Sequence, residues 1–353
     1  MDLPFDPPLA PMEAKTVADV PEGDGWQYEP KWDGFRAICF RAGEDVYISS
    51  RKELPFVRYF PDIASALTTL DEQRVVLDGE LVIFTPDGRS ILFDTLQMRL
   101  HPAESRVRKL AAETPASFVA FDLLALDDRD LRGTPFGERR ELLEGVMAGA
   151  EPPLHLSPST RDPEIARSWL DSFAVAGLDG VVAKRLDGMY RPGVREMRKI
   201  KRLRTADCVV IGWRWAKDQH GTAVGSLLLG LYSPDGDLPQ VGFVSGFDAA
   251  TRRSMVPMLE EHRSGPTVDV PDSPEYRSRW NADKDLSFEP LKPELVVEVS
   301  FDQVTGDRIR HGSRFVRWRP DKPAGACTFD QLREAGDFDV TDLLEGTERR
   351  PGG

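Results

Sequence analysis

An α+β architecture in two successive domains follows from the way the sequence pattern changes along this chain. As far as residue 203, apolar-alternating strand segments are interleaved with amphipathic helical ones. Beyond it helical periodicity fades, and β-rich pieces succeed one another between Gly-rich turns. A length of 353 residues suits two ordinary domains.

Residues 25–40 read as strand, turn, strand, with Asp33-Gly34 as the hairpin turn. Residues 61–70 form a helix with Pro61 in its first turn. A second strand pair is expected over 74–83, followed by a turn at Pro86-Asp87-Gly88. Helices are expected over 105–112, 137–147 and 163–176, and buried strands over 117–125 and 180–184. The later part offers strands at 208–215, 226–232, 240–245, 295–301 and 314–317, with one helix at 249–263. Five strands and one helix fit a small barrel of the OB type. The expected division is a first domain over 1–203, a barrel over 204–327 and an acidic tail over 328–353.

The composition, 40% hydrophobic and 30% charged, is that of a globular protein rather than a disordered or membrane-embedded one. No run approaches the length of a membrane span, and the N-terminus lacks a basic region leading into an apolar stretch. Cys39, Cys208 and Cys327 form no CxxC pair, and the five histidines show no i,i+4 spacing. Zinc and disulfide frameworks are therefore excluded, leaving a hard ion held by carboxylates and phosphates as the expected metal.

The net charge of −13 argues at first against a nucleic-acid partner, but its distribution matters more. Residues 184–204 carry a net +7 and residues 308–322 a net +5, while both ends of the chain are acidic. Two basic segments within an acidic chain suit a phosphate-rich ligand.

The first chemical signal is Lys31-Trp32-Asp33-Gly34-Phe35-Arg36, or KxDGxR. A lysine attacks phosphorus only as the free amine, a form favoured by burial beside other cations, for which Arg36, Lys199 and Lys201 are candidates. Alone this motif reads as a surface turn. It is followed in order by Ser50-Arg51, Asp78-Gly79-Glu80, Phe121-Asp122-Leu123-Leu124, Asp179-Gly180-Val181-Val182-Ala183-Lys184, Met197-Arg198-Lys199-Ile200-Lys201 and Arg319-Pro320-Asp321-Lys322. Glu80 and Asp179 are strand-end carboxylates that, with a triphosphate, could hold Mg²⁺ or Mn²⁺. Lys199 and Lys201, two apart on a strand, share one face.

This collinear series resembles the motif set of the covalent nucleotidyltransferases, the superfamily of ATP-dependent DNA ligases, RNA ligases and mRNA capping enzymes, over residues 26–322. The FDLL and GVVAKR runs favour the ATP-dependent DNA ligase branch, and the compact chain is similar to the bacterial ligase C group. The resemblance implies a nucleotidyltransferase (adenylation) domain of antiparallel sheets with flanking helices, followed by an OB-fold barrel. It implies Lys31 as the nucleophile that takes AMP from ATP. Glu29 would read the adenine amino group, Phe121 stack on the base, Glu80 lie near the ribose, and Arg36 and Arg51 contact ribose and DNA. Arg195 would lie on the phosphate side. Lys199 and Lys201 would grip the α-phosphate, and Arg319 and Lys322 orient the pyrophosphate. The family usually has Glu where this chain has Asp179, and an apolar residue where it has Arg198.

The expected activity is sealing of 5′-phosphate/3′-hydroxyl nicks in duplex DNA through lysine–AMP and DNA-adenylate intermediates, in DNA repair. A GTP-using capping guanylyltransferase and a catalytically inactive end-joining scaffold are the alternatives. The expected setting is a monomer in the bacterial cytoplasm, associated with the nucleoid and with repair or end-joining proteins, away from membranes. Only 25 residues precede the first strand, so the N-terminal DNA-binding domain of many family members is expected to be absent.

Overall fold

A computed structural model describes residues 1–172, 177–269, 286–310, 313–333 and 339–344. It forms two compact units, Met1–Arg202 with Ala335–Gly353, and Leu203–Glu334. No helix among the described residues is long and apolar enough to cross a membrane.

The first unit begins with strands β1 (Glu13–Val17), β2 (Trp26–Pro30), β3 (Phe35–Ala42) and β4 (Asp45–Ser50), helix α1 (Pro61–Leu67) and strand β5 (Arg74–Val82). Helices α2 (Phe93–Met98) and α3 (Glu104–Glu113), strands β6 (Ser117–Leu126) and β7 (Arg129–Asp130), helix α4 (Phe136–Met147) and strand β8 (Leu154–Leu156) follow. Helix α5 (Pro163–Ser172) and strands β9 (Val181–Arg185) and β10 (Arg195–Ile200) complete it. The helix expected over 163–176 is thus described to Ser172, and residues 173–176 lie outside the described part.

These strands make two sheets, β1-β10-β9-β2 and β4-β3-β5-β6-β7, with β8 added parallel to β6. Strand β6, SFVAFDLLAL, is buried from Phe118 to Ala125 because its two faces pack on different clusters. A near-continuous apolar run is what such a two-sided strand requires. The carboxylates that interrupt this core are paired. Asp78 holds Arg36 through both oxygens, at 2.5 and 2.6 Å, and Asp122 holds the fully buried Arg139 at 2.8 and 2.9 Å. Removing either partner would leave a buried charge uncompensated.

Two expectations need correction. Asp33-Gly34 does not close a hairpin, because β2 pairs with β9 while β3 pairs with β4 and β5. The turn instead carries the chain from one sheet to the other. Residues 74–82 are one continuous strand rather than a pair, and the turn after it is closed by a single bridge, Phe84 to Ile91.

The second unit contains β11 (Arg204–Trp215), β12 (Val224–Gly230), β13 (Gln240–Ser245), helix α6 (Ala249–Glu261), β14 (Glu289–Pro290), β15 (Val296–Phe301), the hairpin β16 (Gln303–Thr305) and β17 (Arg308–Arg310), and β18 (Arg314–Trp318). Its antiparallel sheet runs β13-β12-β11-β15-β18, and an additional bridge from Val244 to Ser313 draws the two edge strands together. The curled sheet encloses one apolar core centred on Trp213, Leu227, Leu229 and Val297. Asp248 caps α6 by accepting from the amides of Ala250 and Thr251. A last helix, α7 (Val340–Leu344), lies in the segment expected as a tail, and its Val340 and Leu343 join the core of the first unit.

Candidate active site

Lys31 follows directly on β2, where backbone bonds fix it on both sides. Its amide donates to the Gly180 carbonyl at 2.8 Å, and its carbonyl accepts from the Asp179 amide at 2.9 Å. These bonds extend the β2–β9 ladder one step beyond the pairing of Pro30 with Val181. Trp32, 4% exposed, anchors the next residue by donating from Nε1 to Ser157 Oγ at 3.0 Å. Two glycines permit the close approach. A Cβ on Gly34 would lie 2.0 Å from the Leu81 carbonyl oxygen, and one on Gly180, at φ +125°, would lie 2.1 Å from that of Ile200.

Beside this loop is a cavity of about 580 Å³. Of the residues singled out in the sequence, Glu29, Lys31, Arg36, Arg51, Glu80, Phe121, Arg195 and Lys199 line it. Asp179 and Lys201 join them through ion pairs. Lys31 Nζ pairs with Asp179 Oδ2, and Lys201 Nζ reaches the same oxygen at 3.0 Å. Burial pushes the Asp179 carboxyl up, but Lys31 and Lys201 pull it down further, leaving it below the usual carboxylate range. The Lys199 amine lies below the ordinary lysine value, first through burial and then through repulsion by Lys31 and Lys201. A shared cationic field around Lys31 is therefore present, but Arg36 is not a loose member of it, because Asp78 answers its charge.

At Phe121, Arg36 and Lys184 lie over the ring at 4.5 and 4.6 Å from its centroid. Lys184 also donates to the Phe121 carbonyl at 2.8 Å and pairs with Glu29 at 2.7 Å. Burial holds its amine below the ordinary lysine value. The sequence signal for Lys184 is a lysine ending the otherwise apolar run GVVAK. Glu13 was missed altogether. From β1 it accepts from Arg51 at 2.6 Å and from Arg195 at 3.1 Å, and those guanidiniums hold its carboxyl below the usual range.

This constellation has counterparts in known proteins. A family model described as ATP dependent DNA ligase domain matches residues 9–201, and one described as ATP dependent DNA ligase C terminal region matches residues 220–322. The chain belongs to the ATP-dependent DNA ligase family. It is 50% identical over 345 residues to DNA ligase C2 of Mycolicibacterium smegmatis, covering 94% of this chain and 96% of that one. It is 46% identical to DNA ligase C of Mycobacterium tuberculosis, covering 98% and 99%. A solved structure from a structure–function study of Lig E DNA ligases is 17% identical and covers 88% of this chain and 99% of that one. Its TM-score of 0.55 shows a shared fold.

In this ligase the expected metal carboxylates differ in state. Asp179 Oδ1 is buried and accepts no hydrogen bond among the described residues. Glu80 is half-buried on the cavity wall, and burial pushes its carboxyl up to about 8, against the opposing pull of Arg36 and Lys31. No group of three metal-ligating side chains occurs among the described residues.

The ligase's RPDK residues, Arg319 and Lys322, belong to the second unit. Arg319 Nη1 donates to both oxygens of Asp207, at 2.8 and 3.0 Å, its Nε and Nη2 fork onto Asp321, and Lys322 lies 3.5 Å from Asp207. Asp207 was not anticipated, because nothing in the local sequence pairs it with residues more than a hundred positions away.

Proposed function

We propose that this ATP-dependent DNA ligase seals 5′-phosphate/3′-hydroxyl nicks in duplex DNA, with Lys31 as the adenylated nucleophile. One observation carries the reading: Lys31 is fixed by backbone bonds at the wall of a cavity of about 580 Å³, beside Asp179, Lys199 and Lys201. The Lys31 amine attacks the α-phosphorus of ATP. A nitrogen–phosphorus bond forms, the bond to pyrophosphate breaks, and the lysine gives up a proton. Lys199 and Lys201 stabilise the charge that gathers on the α-phosphate. Asp179 holds the lysine in place until ATP arrives. AMP then passes to the 5′-phosphate of the nick, and the 3′-hydroxyl displaces it.

Glu29 and Phe121 form the base end of the site, Glu80 and Arg36 the ribose side, Arg195 the phosphate side, and Arg51 the side facing DNA. Arg319 and Lys322 orient the pyrophosphate in the first step. Glu80 and Asp179 fit a hard divalent cation, Mg²⁺ or Mn²⁺, because such an ion asks for only one or two protein carboxylates beside phosphate and water. The vacant acceptor Asp179 Oδ1 supports this. When bound, the ion would neutralise phosphate charge. The setting we infer is DNA repair in the bacterial cytoplasm, at the nucleoid, as a monomer that meets repair or end-joining proteins. DNA binding through phosphates should weaken steeply with salt.

Sealing of a 5′-phosphorylated nick, followed on a gel for the wild type and Lys31→Ala, tests the reading. The variant should neither gain AMP mass nor seal with ATP. Sealing by Lys31→Ala would overturn the assignment.

A further inference from the structure

Glu29 is held more fully than a base-reading carboxylate needs to be. Its Oε2 takes Lys184 Nζ at 2.7 Å. Its Oε1 accepts from Gln27 Nε2 at 3.1 Å and has Arg140 Nη1 at 3.7 Å. Gln27 stands two residues before Glu29 on β2, so the two share a face, and both are almost fully buried. Arg140, 5% exposed, comes from α4, where Nε donates to Glu144 at 2.8 Å and Nη2 to the Ser157 carbonyl at 2.9 Å. Its remaining nitrogen, Nη1, is buried without a hydrogen-bond partner among the described residues and stands beside Glu29 Oε1.

We propose that Gln27 and Arg140 are positioning residues that make Glu29 selective for adenine over guanine nucleotides. The inference rests on the reading of Glu29 as the purine-facing group of the cavity. A bare carboxylate is a poor selector for adenine. Guanine offers adjacent N–H donors on its ring and amino nitrogens that can grip both oxygens at once, as a guanidinium does, whereas adenine offers its single amino group. A carboxylate whose Oε1 is already engaged by an amide and crowded by a guanidinium cannot receive the paired donors of guanine without displacing Gln27. A single amino N–H needs only one remaining acceptor site. Discrimination thus comes from the partner that is refused as much as from the one that is accepted.

Formation of Lys31–AMP and Lys31–GMP from labelled ATP and GTP, measured as kcat/KM on the full chain, tests this. In Gln27→Met and Arg140→Met the ATP-to-GTP ratio should fall about tenfold, the worth of one hydrogen bond, through a gain with GTP. Arg140→Lys, which keeps a cation beside Oε1, should retain most of the ratio. A merely structural role would lower both nucleotides by one factor. Equal losses in Gln27→Met and Arg140→Met would overturn the proposal while a changed ratio in Glu29→Gln left the reading of Glu29 standing. An unchanged ratio in Glu29→Gln would overturn both. Should Arg140→Met fail to fold, Gln27→Met alone decides.

Discussion

Glu80 has a carboxyl that titrates near 4.5 in an unfolded chain and at about 8 in this fold. Between those values the folded state binds the extra proton. Its contribution is therefore fully present below the lower value and is lost as pH rises toward the upper one. Glu80→Gln copies the neutral form and removes that decline. The variant should match the wild type near pH 5 and exceed it at pH 8 by on the order of 1–2 kcal/mol, less than the full shift because the side chain faces a water-accessible cavity. Urea unfolding at both values measures this, and parallel pH profiles would show that Glu80 is charged in the fold at neutral pH. Lys31, Glu80 and Lys199 were legible in the sequence because their chemistry travels in short motifs. Their partners were not. Asp78 meets Arg36 because β3 and β5 pair in a register that sets Ile38 opposite Asp78, and no local pattern records that register. Gln27, Arg140 and Lys184 likewise meet Glu29 only once β2, α4 and β9 are assembled.

The site is assembled where β2, β9 and β10 end together, and Gly180 is the element-level condition for that meeting. Alanine there would combine a disfavoured φ of +125° with a Cβ 2.1 Å from the Ile200 carbonyl oxygen, so β10 would have to withdraw. Gly180→Ala should destabilise the chain by on the order of 3 kcal/mol and abolish AMP labelling, since Lys31 donates its amide to this same residue. The urea midpoint and labelling with radioactive ATP check both. Near-native stability would mean that the strand ends tolerate separation. Strands β6 and β11 were legible through their near-continuous apolar runs, and β15 because buried Val297, Val299 and Phe301 alternate with partly exposed residues. The Asp33-Gly34 turn misled because a tight turn reports local backbone direction and says nothing of which sheet receives the next strand. Strand β1 was missed because its burial is partial and its sequence, EAKTV, has no apolar run.

At the scale of the whole molecule, the chain leaves its first unit after Arg202, and residues 339–344 belong to that unit again, so the second unit is an insertion rather than an appendage. Charge alone made residues 328–353 read as an acidic tail. Yet VTDLL places Val340 at 0% and Leu343 at 1% exposure in the cluster that contains Trp32, Val82 and Trp169. A helix of five residues is far too short to persist by its own hydrogen bonds, so α7 exists because this packing holds it. Thr341 Oγ1 adds a bond to the Gly88 carbonyl at 3.2 Å. Leu343→Ala should therefore cost about 2–3 kcal/mol in urea unfolding, as for a buried leucine in any core, whereas truncation of a solvated leucine would cost almost nothing. Because Trp32 belongs to the same cluster and neighbours the nucleophile, AMP labelling of Leu343→Ala should fall with rising temperature earlier than that of the wild type. Unchanged stability in this variant would return the segment to the status of a tail and leave Trp32 supported by the two sheets alone.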